Sequence, residues 1–342
     1  MLAVRVERSR AEALRKRFAR EDLIDITHAI IDDGLFVTIP LTGAPSHDLL
    51  QKYEASMIQG DFPSRTSRRD PIDYIRDLVS IPVALKPLLP WKWELLGDVL
   101  VLRLDPALDR YETEVADAYA SVLKAKTVMR DVGGIGGEYR QPVIKILLGT
   151  DTIATHLENG IRFRFDVAKI MFSSGNVEER LRMAELECRG ETIIDMFAGI
   201  GYFSLPLAVH QNPKRIIACE INPLAHSYLV ENIRLNDVGK TVEPVLGDNK
   251  DLKGEGVADR VIMGYVRTTH EFLPTALRLL KSGGVLHYHE TCPNELLPKR
   301  PLQYLENAAK RAEVTVLRFK AIKSFAPGVS HVVVDARIVK PS

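Results

Sequence analysis

From Thr192 to His289 the chain repeats one unit: a short apolar run, a turn, and a helical segment. The runs are Thr192–Met196, Ile216–Ile221, Val242–Leu246, Arg260–Met263 and Val285–His289. Between them Leu224, Tyr228, Leu229 and Ile233 recur at helical spacing, and Phe272–Leu280 forms a further helical stretch that Gly283-Gly284 is expected to stop. Strands this short and apolar are covered on both faces, and strands separated by helices pair in parallel. The pattern predicts an α/β fold: a doubly wound, Rossmann-like sheet over residues 171–342. Val314–Phe319, Pro327-Gly328 and His331–Val339 read as an antiparallel hairpin that closes it.

A chain of 342 residues is expected to form two or three domains. Residues 1–90 read as a small module followed by a connecting segment. It has a first strand, an amphipathic helix with Ala13, Leu14, Arg17 and Phe18 at helical spacing, and a strand over Gly34–Pro40. Prolines 45, 63, 71, 82, 87 and 90 then break the chain into helices and turns. Residues 91–170 read as an α+β module, with strands at Val99–Leu104, Thr127–Arg130, Val143–Leu148 and Ile161–Phe165 and a helix at Thr113–Leu123. The link beyond it enters a helix with Val177, Leu181, Ala184 and Leu186 on or near one face.

The strongest local signal lies in Ile193–Ser204, where a strand enters the turn Gly199-Ile-Gly201 and a helix follows. Glycines there let a ligand approach the backbone and face the helix N-terminus. About twenty residues further on, Cys219-Glu220-Ile221-Asn222-Pro223 ends the next strand. A carboxylate at that place accepts hydrogen bonds from both ribose hydroxyls. Gly247-Asp248-Asn249 ends the third strand, where a carboxylate or amide can hold an adenine amino group. Three such features at successive strand ends point to a nucleoside-bearing ligand.

With Asn176-Val-Glu-Glu-Arg180 upstream and Asn232-Ile-Arg-Leu-Asn236 and His287-Tyr288 downstream, Asp195-Met-Phe-Ala-Gly-Ile-Gly201 resembles the archaeal and eukaryotic enzymes that modify the guanosine beside the anticodon. Two groups share that frame, the tRNA guanine N1-methyltransferases and the wybutosine-pathway aminocarboxypropyltransferases. The first carry Asn-Leu-Pro or Asn-Pro-Pro after the fourth strand, a polar group suited to hold the purine edge while N1 loses its proton. This chain has Met263-Gly-Tyr-Val-Arg-Thr-Thr269 there. With Phe172-Ser-Ser-Gly-Asn176 and His287-Tyr-His-Glu-Thr291, that segment is similar to the aminocarboxypropyltransferases.

The resemblance implies S-adenosylmethionine as donor, 4-demethylwyosine in tRNA(Phe) as acceptor, and transfer of the 3-amino-3-carboxypropyl group. It implies cofactor-binding roles for Ser173, Arg180, Asp195, Phe197, Gly199, Gly201, Glu220, Asp248, Asn249 and Gly264, and catalytic roles for Arg180 and Tyr265. Arg180 is expected to pair in two-point fashion with the donor carboxylate; a surface Glu-Glu-Arg ion-pair run is the alternative. N1-methylation at the same nucleoside, or a catalytically inactive RNA- or protein-binding scaffold, are the rival readings.

A net charge of +1 names no nucleic-acid partner, so tRNA contact falls on local patches: Arg5–Arg20, with six arginines and one lysine, and Arg65, Arg68 and Arg69. A solvated linker is the competing account of the second patch. His287 and His289 alternate onto one strand face without a third ligand at suitable spacing, so no metal is expected. Gly133–Gly137 lacks the ending of a phosphate loop and reads as a turn or hairpin. Cys188, Cys219 and Cys292 form no C-x-x-C pair and read as packing residues. No apolar run reaches the roughly 18 residues of a membrane span. The arginine-rich start carries Glu7, Glu12, Glu21 and Asp22, unlike a presequence, so the cytoplasm is expected, with no obligatory protein partner.

Overall fold

The computed structural model describes residues 1–65, 69–136 and 141–341; Arg68 and Gly137, singled out above, lie outside the described residues. Contacts divide the chain into two units, Met1–Asp73 and Tyr74–Ser342, and the boundaries expected at residues 90 and 170 both fall inside the second.

In the first unit β1 (Leu2–Glu7) leads into α1 (Arg8–Arg20), β2 (Ile31–Asp32), β3 (Phe36–Pro40), α2 (His47–Lys52) and β4 (Ser56–Gln59). The sheet order is β2-β3-β1-β4, with β1 antiparallel to both β3 and β4. The helix does pack by an apolar seam, but the seam is Ala11, Leu14 and Phe18 against Val4, Val6 and Ile39. Ala13 and Arg17, expected on it, are exposed. β4 was hidden in sequence among the prolines. The basic helix is also less bare than its composition implies: Arg10 pairs with Glu54, Arg15 with Glu12 and Arg17 with Glu21, while Arg5 and Arg8 reach Asp33 and Asp32.

α3 (Pro71–Leu78) carries the chain across the division. β5 (Glu94–Leu96), β6 (Val99–Leu102), α4 (Glu112–Leu123), β7 (Thr127–Gly136) and β8 (Gln141–Leu148) form a four-stranded sheet in the order β5-β6-β7-β8. β6 and β7 are parallel, as a helical crossover such as α4 requires. Gly133–Gly136 lie within β7, whose partner is the antiparallel β8. β9 (Ile153–Glu158) and β10 (Ile161–Asp166) then make a separate antiparallel pair.

The third sheet has seven strands. α5 (Val177–Glu185) precedes β11 (Thr192–Asp195), α6 (Ser204–Gln211), β12 (Arg215–Glu220), α7 (Pro223–Leu235) and β13 (Val242–Leu246). β14 (Ala258–Met263), α8 (Leu273–Leu279), β15 (Leu280–Pro293), α9 (Lys299–Ala309), β16 (Glu313–Ala326) and β17 (Val329–Val339) complete the chain. The order is β13-β12-β11-β14-β15-β17-β16, parallel through β15 and antiparallel at the hairpin. The Rossmann-like expectation holds. The helix stop expected at Gly283-Gly284 does not: α8 ends at Leu279, and both glycines belong to β15.

Two asparagines explain how the β9–β10 pair is held to this sheet. Asn232 on α7 and Asn236, the residue that follows its last turn, each exchange two hydrogen bonds with the backbone of Arg164 and Arg162 respectively, alternate residues on the open edge of β10. Helix and strand repeats match over that distance, about 6 Å in each. The edge is thereby satisfied by side chains rather than by another strand.

α5 corrects the sequence reading most sharply. Val177 and Leu181, expected on its buried face, are 37% and 38% exposed, while Glu179, Arg180, Met183 and Ala184 are buried. Charged groups go inside because partners wait there: Arg182 is bonded to both Glu179 and Asp335, and Arg180 to Glu158. A periodicity count sees residue type and not these partners. Among the described residues no helix is long and apolar enough to cross a membrane.

Candidate active site

A cavity of about 340 Å³ opens at the C-terminal ends of β11–β14 and extends to the β16–β17 hairpin. The nucleoside end comes first. The turn after β11 puts Gly199 at φ 58°, and a Cβ there would meet the Tyr202 ring at 2.5 Å, so the position admits only glycine. Its freed N–H donates to Glu220 Oε2 at 2.7 Å, and the Asn222 N–H donates to Oε1 at 2.8 Å. Each oxygen keeps a lone pair for a ribose hydroxyl. Burial pushes the Glu220 carboxyl above the usual carboxylate range, and those two N–H donors pull against the shift. Asn222 also caps α7, accepting from the Leu224 N–H.

Asp248 and Asn249 line the same end. Asp248 accepts from the Lys250 N–H, and Asn249 donates to the Met196 carbonyl at 3.0 Å. The Asn249 Oδ1 is buried with no hydrogen-bond partner among the described residues. An orphaned acceptor beside a carboxylate with spare lone pairs suits an exocyclic amine and a ribose diol, so these residues fit an adenosine group.

Asp195 and Gly201 stand elsewhere. Asp195 is fully buried beneath the turn, where it accepts from Ser204 Oγ at 2.7 Å and from the Phe197 N–H at 3.3 Å; it does not line the cavity. Burial pushes its carboxyl up to about 6. Gly201, at φ 104°, packs against Leu205 and is likewise set back from the cavity. Both shape the turn that carries Gly199, which is a positioning role and not the contact expected of them.

The other end lies around the segment after β14. Tyr265 stacks on Phe197 with centroids 5.2 Å apart, and Phe197 meets Phe272 edge-on. A Cβ on Gly264 would fall 2.7 Å from the Phe203 ring, so this wall too requires glycine. Ser173 comes from the link before α5, and Arg180 from α5 itself. Arg180 is 3% exposed, and both arms of its two-point pairing go to Glu158, at 2.6 and 2.8 Å, with a third bond to the Ser173 carbonyl. Its guanidinium lies over the Phe172 ring. The surface ion-pair alternative is excluded by this burial, and Glu158 occupies the pairing expected for the donor carboxylate.

Residues that sequence reasoning passed over complete the wall. Asn176 has a buried Oδ1 with no hydrogen-bond partner among the described residues, and Lys323 Nζ donates to Ser173 Oγ at 2.6 Å. His331 and Phe325 come from the hairpin. Asn176 sat inside a quoted motif and could have been found. Lys323 and His331 lie some 150 residues from Ser173, on strands whose pairing only the fold reveals. His287 and His289 are not a metal pair: His287 lies between Asp335 and Arg260, and His289 faces His331.

A glycine turn, a ribose-facing acid and an orphaned amide at successive parallel strand ends define an enzyme fold that draws a group from a nucleoside-bearing donor. The chain belongs to the TRM5/TYW2 family. The TRM5/TYW2 methyltransferase domain matches residues 154–317, and the TYW2 N-terminal domain matches residues 75–152. The tRNA(Phe) (4-demethylwyosine(37)-C(7)) aminocarboxypropyltransferase of Pyrococcus horikoshii is 47% identical over 78% of this chain and 96% of its own. The crystal structure of P. horikoshii TYW2 in complex with MeSAdo is similar at 44% identity with a TM-score of 0.72, over 79% of this chain and all of that one. Trm5b from Pyrococcus abyssi superposes over 99% of both chains, at 32% identity with a TM-score of 0.70.

Proposed function

We propose that this enzyme transfers the 3-amino-3-carboxypropyl group of S-adenosylmethionine to C7 of 4-demethylwyosine at position 37 of tRNA(Phe), a step of wyosine-derivative biosynthesis. The observation that carries this choice over methyl transfer is the wall after β14, where Gly264 abuts Phe203 and Tyr265 stacks on Phe197. That wall offers ring faces to a flat acceptor and lacks the amide that would polarise N1.

The donor's sulfonium activates three carbons toward displacement, and the one held in line with the nucleophile reacts. The protein's task is therefore orientation. Glu220, Gly199, Asp248 and Asn249 fix the adenosine. Ser173 and Phe197 bound the sulfonium and amino-acid end, with Arg180 holding the Ser173 carbonyl from behind. Gly264 keeps the floor low and Tyr265 faces the acceptor. The base must leave its stack to reach the cavity. The basic residues Arg65, Arg68 and Arg69 bear on the tRNA body, and the reaction belongs to the cytoplasm, a setting in keeping with three buried free cysteines.

The test uses S-adenosylmethionine labelled separately in its methyl and aminocarboxypropyl carbons, with tRNA(Phe) carrying 4-demethylwyosine. The aminocarboxypropyl label is expected in the tRNA and the methyl label is not. Methyl label in the tRNA would refute the proposal.

A further inference from the structure

We infer that a second groove beside the catalytic cavity holds the nucleotide next to the acceptor in the RNA chain, with its base stacked on Trp91. This rests on the tRNA acceptor of the function proposed above. The groove, of about 860 Å³, is lined by strands of the four-stranded sheet and by the link before α5. Ile170, Met171, Ser173 and Lys323 line both it and the catalytic cavity, so the two form one continuous depression. A base seated in the cavity leaves its neighbours in the strand only one sugar-phosphate unit away, and the groove is the space that adjoins.

The chemistry of the acceptor calls for a ring there. Drawing one base out of a single-stranded loop strips a stacking face from the base beside it. An aromatic side chain that takes the vacated place recovers that interaction, and it serves any base because every base has a flat face. Trp91 stands at the groove and is 70% exposed. Tryptophan is highly buried on average, so an indole this open has a face for something to cover. The chain that carries it is held in place. The Pro90 carbonyl accepts from the Tyr119 hydroxyl, and the Trp93 ring meets the fully buried Tyr119 edge-on with centroids 5.8 Å apart. The platform is therefore set before RNA arrives, which lowers the ordering cost of binding.

The charges suit a polynucleotide. Lys92 Nζ lies 4.2 Å from the centroid of the Trp91 ring, where it can reach a phosphate beside a stacked base. Arg103, exposed on the same groove, bonds Asp131 through Nε and one terminal nitrogen, and its fork of five N–H donors leaves others for a phosphate. Lys323 adds a cation where groove and cavity meet. Against these three stand the acids Glu94, which accepts from Ser174 Oγ, and Asp131.

The experiment uses the full chain and a synthetic anticodon stem-loop of tRNA(Phe) carrying 4-demethylwyosine, with an abasic nucleotide placed in turn on either side of it. Trp91→Ala is expected to weaken stem-loop binding by about 5- to 100-fold, and Trp91→Phe to keep it within about fivefold of wild type, with donor affinity unchanged in both. The abasic nucleotide on one side should cost the wild type a similar factor and cost Trp91→Ala almost nothing more, a coupling that a merely structural role for the indole would not produce. The chain has two tryptophans, so the emission of Trp91, taken as the difference between wild type and Trp91→Phe, should be quenched by the stem-loop. Binding by Trp91→Ala within about twofold of wild type would overturn the inference, as would abasic losses on both sides that add in full to the loss from Trp91→Ala. Tryptophan emission unchanged when the stem-loop saturates the wild type would overturn it even where a variant fails to fold. Stem-loop binding with no aminocarboxypropyl transfer by the wild type would instead sink the proposed function.

Discussion

The two ends of the cavity are built in different ways. The nucleoside end is made of backbone and short polar side chains drawn from three adjacent strand ends, Gly199, Glu220 and Asp248-Asn249. The transfer end is made of side chains from α5, the link before it, the segment after β14 and the hairpin, held by a buried charged network through Glu179, Arg182, Asp335 and His287. The first is a local device that any chain with the right spacing can form. The second exists only once distant strands have paired, and it couples donor orientation to the stability of the fold.

That contrast predicts different consequences at each end, and the largest belongs to the nucleoside end. Glu220→Ala removes an acceptor of two charge-assisted bonds and should weaken S-adenosylmethionine binding by about 10²- to 10³-fold in calorimetry. Binding within about threefold of wild type would remove Glu220 from the site. At the other end, Glu158→Ala leaves a buried guanidinium unpaired and should cost about 3 kcal/mol in denaturant unfolding. Its effect on donor affinity should be much smaller than that of Glu220→Ala. A larger loss of affinity than of stability would mean that Arg180 anchors the donor directly.

The turn itself supplies a pH test. The Asp195 carboxyl titrates at about 6 in the fold against an ordinary 3.8, so the folded state binds the proton more tightly than the unfolded chain. Its contribution is fully present below pH 3.8 and is lost as the pH rises through 6. Between about pH 4 and 7 the wild type should lose about 2–3 kcal/mol relative to Asp195→Asn, measured by unfolding at each pH. Parallel curves for the two proteins would show that Asp195 is ionised throughout. Gly264→Ala should reduce turnover by about tenfold through the clash with Phe203, with donor affinity less affected. The smallest effect is expected from charge reversal at Arg65, Arg68 and Arg69: a shallower salt dependence of tRNA binding, by about one unit per lost phosphate contact, with donor affinity unchanged. An unaltered slope would take these residues out of the RNA interface.

Legibility followed the same division. Gly199, Glu220 and Asn249 could be found because each ends a short apolar run, and the run, turn and acid repeat within some sixty residues. Asp195 and Gly201 belonged to the same motif but support the turn from behind, a distinction that spacing cannot express. On α5 the apolar period pointed to Val177 and Leu181, whereas the buried face carries Glu179, paired with Arg182 that also reaches Asp335 on β17, and Arg180, paired with Glu158 on β9. Lys323 and His331 are ordinary strand residues until β16 and β17 pair. The asparagine pair of α7 stood in the sequence as a motif, but the edge of β10 that it satisfies did not.

The central claim is that this cavity presents the aminocarboxypropyl carbon, and not the methyl carbon, to the acceptor. The nucleoside released in a single turnover reports that choice directly, because the donor must leave whatever it did not transfer. Chromatography of a reaction with 4-demethylwyosine-containing tRNA(Phe) is expected to show 5′-methylthioadenosine in amounts equal to the modified tRNA. S-adenosylhomocysteine in its place would contradict the account.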